Sequence, residues 1–466
     1  MRACDWSFLR KQESGKRIDP KGWLPVFTGL TAVFAVILMV SVSTPAAADS
    51  PVSGSILVDT RANTGSGDIS REEYRLSVTA AKKIHEMYAY GDVWFRGFGI
   101  TQPTTYLPQL QQYSSEPPTY VDVRQVYVEF YSFLLRDLDV KIGKQVLNWG
   151  TADEMNVTNN VNPYDLEDPF AFNNKLPVPL LVAEYYFRHE ISLTGVVEPL
   201  FVPSVLPADQ WLSAFIPSEP IPSWLHINQY NINLSMPQQS MPGDLSYGFR
   251  IAKKALFGYD ISLSYYNGWY TLPELTSANI TTSGNNIIAN ANLSFPRLSI
   301  IGGDFAGSIG DHGVWGEIAL NIPQQPVQFS SSVLNIPYPA ASYDIATSPF
   351  VKYVLGTDYT FNDGTYMNLQ FLHGEFYEIG NQLQNYLTLM ANRSFLYDQL
   401  KAQIAIITEL AQHNLTSAMF YPELDWMPYD SITLSAGGYI FAGDSGTVFG
   451  NIINNSEVFI KAKYVF

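Results

Sequence analysis

The feature that most constrains this chain is a two-residue alternation that recurs in runs of about ten residues. In Leu138-Asp139-Val140-Lys141-Ile142-Gly143-Lys144-Gln145, the apolar Leu138, Val140 and Ile142 share one side and Asp139, Lys141, Gly143 and Gln145 the other. Tyr259–Tyr265, Val314–Asn321 and Met367–Phe371 repeat the pattern, each followed by turn-forming residues. A strand places successive side chains on opposite faces, so each run has one apolar and one polar face. In a soluble sandwich the apolar face would be core; in an outer-membrane barrel it meets lipid and the polar face lines the lumen. Runs of about ten residues suit a tilted membrane crossing, whereas sandwich strands average about 5–6 residues.

The end of the chain favours the barrel. Val458, Ile460, Ala462, Tyr464 and the terminal Phe466 share one face, opposite Lys461 and Lys463. This resembles the last strand of bacterial outer-membrane barrels, which ends in Phe. The resemblance implies that Tyr464 and Phe466 form a signal for the barrel-assembly machinery. Composition agrees: charged residues are only 15% of the chain and mean hydropathy is −0.01, as when a lipid face and a polar lumen cancel. Lys and Arg number 27 against 43 acids, which excludes a basic nucleic-acid-binding face.

The start of the chain reads as an export leader. Six bases lie within residues 1–23, an uncharged apolar stretch runs from Leu24 to Val42, and Ala46-Ala47-Ala48 supplies small residues for cleavage after Ala48. A single membrane anchor of the same length is the alternative. Cleavage leaves residues 49–466 as one barrel domain and removes Cys4, the only cysteine. Without the leader's six bases and three acids, 21 bases and 40 acids remain, a net charge of −19.

About 19 strand-like runs can be drawn, including 54–62, 72–82, 120–133 and 350–361. Single-chain bacterial barrels have even strand numbers, so the fold expected is an all-β, antiparallel, up-and-down transmembrane barrel of about 16 strands, within 14–18. The pairing parity around 269–300 and 376–430 stays open. Phe361-Asn362-Asp363-Gly364 is a hairpin turn signal. Long connections are expected at 149–180, 199–225, 322–349 and 376–396, on the outer side, with a short helix near Gln382–Met390. The second is rich in proline and carries Trp211, Phe215 and Trp224. Aromatics at run ends, namely Tyr265, Tyr266, Trp269, Tyr270, Phe420, Tyr421 and Trp426, are expected as interfacial girdles.

The stretch 121–207 is the most distinctive. It holds Gly143-Lys144-Gln145, Asn148-Trp149-Gly150, Asp153, Asn162-Pro163-Tyr164-Asp165-Leu166 and Leu176-Pro177-Val178-Pro179. This resembles a Gram-negative outer-membrane family of unknown function, itself similar in style to alginate-export porins. Val448-Phe449-Gly450 and Asn454–Phe459 resemble that family's C-terminus. The resemblance implies an outer-membrane barrel. A pore for a polyanion such as alginate would be lined with Arg and Lys, and 21 bases in the exported chain argue against one.

Candidate pore or constriction residues are Arg124, Glu129, Asp139, Lys141, Gln145, Trp149, Asp153, Glu154, Asn162 and Asp165. The loop 149–168 would fold inward and set size and charge selection; as alternatives it is an ordinary outer loop or an oxygen-ligand calcium site. Charges on the strands around 124–145 would set a field across the lumen or pair to hold the wall. Trp149 would stack on substrate or serve as a girdle residue. Six scattered histidines and the absence of nucleophile, phosphate-loop and dinucleotide motifs point away from an enzyme. The function expected is a porin-like outer-membrane channel passing small solutes, or a specific substrate that in one variant is hydrophobic, by passive diffusion without a cofactor. Its partners would be outer-membrane lipid, the assembly machinery and an unknown small molecule. The alternatives are a receptor or structural barrel with a plugged lumen, and a barrel hydrolase.

Overall fold

The computed structural model describes residues 52–99, 119–171, 173–208, 210–211, 229–238, 244–283, 286–328, 330–333, 336–337, 344–410 and 416–466. The leader 1–48, and Phe215 and Trp224 with their neighbouring prolines, lie outside the described residues.

The alternating runs form eighteen antiparallel strands in one closed sheet, at the upper end of the expected range. In chain order they are Val52–Asn63, Ile69–Ile84, Met87–Phe98, Thr119–Phe130, Leu138–Gln145, Val178–Phe187, Ile191–Glu198, Ser246–Leu256 and Tyr259–Trp269, then Arg297–Ile309, His312–Pro323, Phe350–Thr360, Tyr366–His373, Asn385–Phe395, Leu400–Glu409, Ser417–Tyr429, Ile432–Gly443 and Glu457–Val465. Each pairs with the next, and the first pairs with the last from Ser55↔Val465 to Asn63↔Glu457. Closure leaves no unpaired edge, which hydrocarbon cannot hydrate. The exterior is apolar: Leu263 is 66% exposed while its neighbour Ser262 is 4% exposed. Ile318 and Glu317 show the same contrast. This is the architecture of a bacterial outer-membrane protein.

Short turns gather at one end and long connections at the other. Several short turns use left-handed backbone, as at His85, Phe257, Gly258, Gly310 and Tyr397. The Asp363-Gly364 turn forms as its sequence predicts, with Phe361 N–H donating to Thr365 O at 2.8 Å and Gly364 at φ 84°. The helix expected near Gln382–Met390 is not formed: Asn385–Phe395 is a barrel strand hydrogen-bonded on both sides. Its Tyr-Leu-Thr-Leu-Met run alternates weakly, and the two-sided ladder outweighs local helix preference.

The seam depends on Phe466 and Gly54, whose amides and carbonyls bond each other at 2.9 and 3.0 Å. A Cβ at Gly54 would lie 2.5 Å from Ser77 O and 2.6 Å from the Phe466 ring. Gly54→Val is therefore expected to displace the Phe466 ring and open the seam. A lower folded fraction in heat-modified gel mobility, with Gly91→Val nearly silent because a Cβ there meets nothing within 4 Å, would check this.

Three long connections contribute a second sheet at the outer end. Its strands, in spatial order, are Ile336–Pro337, Ser330–Val333, Glu274–Ser283, Asn286–Ser294 and Gln229–Ser235. The run around 269–300, whose parity was open, is thus a hairpin of this cap. One face carries an amide ladder: Asn231 Nδ2 donates to Asn290 Oδ1 at 2.9 Å and Asn233 Nδ2 to Asn292 Oδ1 at 3.1 Å. The other face, with Ile232, Leu234, Ala291 and Leu293, packs against Leu166, Phe201, Phe295 and Phe376.

Candidate functional site: a loop held inside the barrel

Residues 146–177 join two adjacent strands, yet they carry too much apolar surface for a solvated loop. Trp149, Met155, Val157, Val161 and Leu166 are all buried, in clusters with inward residues of the wall. The loop folds into the lumen because its own side chains satisfy its backbone. Asn162 Nδ2 donates to the carbonyls of Gln145 and Leu176 at 3.0 and 2.9 Å, and its Oδ1 accepts from Leu147 N–H at 2.8 Å. Asn156 Oδ1 accepts from the amides of Thr158 and Asn159 at 3.0 and 2.8 Å. Trp149 is 3% exposed and lies against Gly248, where a Cβ would be 2.9 Å from the indole. The girdle reading of Trp149 is therefore wrong: the indole is a core side chain of the loop.

An acidic triplet fastens the loop to one wall. Asp165 meets Arg124 at 2.9 Å; Glu167 meets Arg96 at 2.5 Å and Arg71 at 3.0 Å; Asp168 meets Arg61 at 2.5 Å. These four arginines stand on the first four strands and are further paired to Asp59, Glu73, Asp122 and Glu457. Burial alone would raise the Asp168 carboxyl, but Arg61, which also hydrogen-bonds it, holds it well below the usual carboxylate range. For Glu167 burial prevails over Arg96 and Arg71 and the carboxyl is raised.

The loop tip is fastened to the opposite wall. Glu317, on the eleventh barrel strand, accepts from Thr151 N–H at 2.6 Å and Ala152 N–H at 2.7 Å, and from Val157 N–H, Thr158 N–H and Thr158 Oγ1 at 3.0 Å each. Asn368 Nδ2 donates to Asp153 Oδ2 at 2.7 Å, and Gln370 Nε2 to Asp153 O at 3.0 Å. The span therefore bridges the barrel.

The ten residues singled out from sequence divide into two groups. Arg124, Gln145, Trp149, Asp153, Glu154, Asn162 and Asp165 belong to the loop or touch it. Gln145 is fully enclosed and donates to Leu180 O at 3.2 Å. Glu154 lies at the exposed tip with φ 60°. Glu129, Asp139 and Lys141 sit toward the short-turn end and are not brought to the loop. Glu129 and Lys141 are cross-strand partners, Lys141 Nζ stands 4.0 Å from the Tyr127 ring, and Asp139 accepts from Ser132 N–H at 2.9 Å. They hold the wall. Arg61, Arg71, Arg96 and Glu317 were missed. Their only sequence signal is a charge at the polar position of an alternating strand, which every barrel shows.

Of the expected girdle, Trp426 is 50% exposed, but Tyr266 is buried and Tyr421 stacks on Tyr439 inside the barrel at 4.9 Å. Trp269 and Tyr270 pack beneath the cap.

Two acids near the cap are tuned by burial. Glu274 is pushed up to about 8 and Glu375 to about 7, each against the opposing charge of Lys352. Both values lie above the ordinary Glu value of about 4.3, so their contribution to stability is fully present below about pH 4.3 and is lost as pH rises through 7 and 8. Amide hydrogen exchange of 274–283 and 374–384, corrected for intrinsic base catalysis, is expected to accelerate from pH 6 to pH 9. Glu274→Gln with Glu375→Gln is expected to flatten that dependence; an unchanged slope would refute it.

A family profile described as protein of unknown function (DUF1302) matches residues 33–438. No curated protein matches the sequence. Among solved structures, the chain is similar to Acinetobacter baumannii OccAB3 at 8% identity and TM-score 0.48, covering 89% of this chain and 98% of that one. It is similar to Wzi, described as a carbohydrate-binding β-barrel involved in group 1 capsule assembly in Escherichia coli, at 8% identity and TM-score 0.46, covering 90% and 85%. A variant Rh. blastica porin gives 9% identity and TM-score 0.39, covering 89% and 99%.

Proposed function

The chain belongs to the DUF1302 family of proteins of unknown function, and from that premise we propose that it is a selective outer-membrane channel whose folded-in loop, 146–177, sets what passes. One observation carries the reading: the loop is bound to arginines of the first four strands and to Glu317 about half the circumference away. A loop fastened on both sides divides the lumen rather than lining it, and a fixed constriction selects by size and by the side chains at its edge. Passage is by diffusion, with no nucleotide or cofactor. Asp153 and Glu154, at the exposed tip, place negative charge on the path and disfavour anions.

Planar-bilayer recording of the purified protein tests this. Small, discrete, weakly cation-selective conductance steps are expected. Silence across voltage, salt and pH would reject the channel in favour of a plugged receptor or structural barrel.

A further inference from the structure

The lumen near the loop is not the polar surface of a general diffusion pore. Wall residues Leu298, Ile300 and Leu372 join Met155 and Val157 of the loop in one apolar cluster, where a water-filled barrel would present polar side chains. A small cavity of about 30 Å³ lies within this region, between the loop and the wall and beside Trp269, Tyr270 and Phe376. These three aromatics also contact the apolar underside of the cap cluster. The cavity therefore lies on the way from the cap to the loop.

Two donors face it. Trp269 lines the cavity, and its indole N–H is buried without a hydrogen-bond partner. Lys352 also lines it. Its Nζ donates to Glu375 O at 2.7 Å, which uses one of the three ammonium protons. A buried N–H without an acceptor is costly and uncommon, and in a cavity it marks the place where a ligand oxygen is missing. The surrounding side chains are mixed: Tyr164 stacks on Phe376 at 4.3 Å, Met155 is readily reshaped, and Asn156, Asn160, Asn162, Thr271 and Glu375 complete the lining.

We infer that this cavity is a binding subsite for an apolar molecule bearing one oxygen acceptor, a carbonyl or a carboxylate, which accepts from the Trp269 indole. The inference rests on the channel reading and names its substrate class. The space holds about one water, so the ligand enters as Met155 and the cap give way. The lining amides of Asn156, Asn160 and Asn162 already donate to carbonyls of the loop and its flanks, so a sugar would find few polar groups left to pair with.

The test uses the whole protein in lipid nanodiscs and follows the indole N–H resonance of Trp269, identified by its absence in Trp269→Phe. Probes are 2-dodecanone, dodecanoate, dodecane and maltose. A saturable shift with 2-dodecanone or dodecanoate, and none with dodecane or maltose, is the expected result. Lys352→Met weakening dodecanoate but not 2-dodecanone would assign the acid as the preferred form; equal affinities would assign the ketone. Trp269→Phe is expected to bind the preferred probe about tenfold more weakly, the loss of one hydrogen bond. A resonance indifferent to both oxygen-bearing probes, or moved equally by dodecane, overturns the subsite. Bilayer conductance reads the channel independently, so a conducting protein with an indifferent Trp269 refutes the ligand and not the channel.

Discussion

Glu317→Ala is expected to raise the single-channel conductance by freeing the tip of the inward loop. The Glu317 carboxylate accepts from the amides of Ala152 and Val157 and takes three further hydrogen bonds from Thr151 and Thr158. Hydrogen bonds to a charged group contribute about 1.5–3 kcal/mol each, and a buried donor stranded without an acceptor costs about 1–3 kcal/mol. Even with strong non-additivity, the five together exceed what the contacts of Asp153 with Asn368 and Gln370 would retain. Residues 151–158 should therefore leave the wall and widen the path, while the acidic triplet keeps the remainder in place. Glu317→Gln retains one acceptor oxygen but turns an amide NH2 toward N–H donors, so an intermediate conductance is expected. Recordings at the wild-type level for both variants would show that the tip does not limit flow.

The second large effect concerns the other attachment. Arg96→Met removes the guanidinium that meets Glu73 at 2.8 Å and Glu167 at 2.5 Å, all three side chains being largely enclosed. Removing one partner of a buried pair typically costs about 3–5 kcal/mol, because the remaining charge is left in a poor solvent. Arg71 still meets Glu73 and Glu167, so the lower end of that range is expected. Adding Glu167→Gln to Arg96→Met should recover part of the loss, a positive coupling in a double-mutant cycle read from urea unfolding in lipid vesicles. Strict additivity would mean that the pair does not hold the loop.

Much of the fold is legible locally. The alternation in 138–145 and 259–265 assigns lipid and lumen faces, and Asp363-Gly364 and the terminal Phe466 mark a turn and the closing strand. Each rests on backbone geometry within a few residues. The candidate site was legible only in part. Asn162, Asp165 and Trp149 stood out as unusual in a loop, but the same composition describes an outer loop and a girdle tryptophan equally well. Arg61, Arg71 and Arg96 were invisible because their partners lie far along the chain, Arg61 and Asp168 being 107 residues apart, and no local period relates them. The hairpin 274–294 was ambiguous because a cap strand with Asn outside and Leu or Ala beneath has the same two-residue period as a barrel strand.

The sequence by itself thus determined that this is an all-β barrel of many strands of about ten residues, since side-chain alternation is a property of the extended chain. Only the tertiary structure decided that the loop 146–177 turns inward and that three outer connections make a cap. Those outcomes follow from pairing buried charges and burying apolar surface between segments far apart in the chain. The energy of such contacts depends on what stands opposite, and a one-dimensional pattern does not contain it.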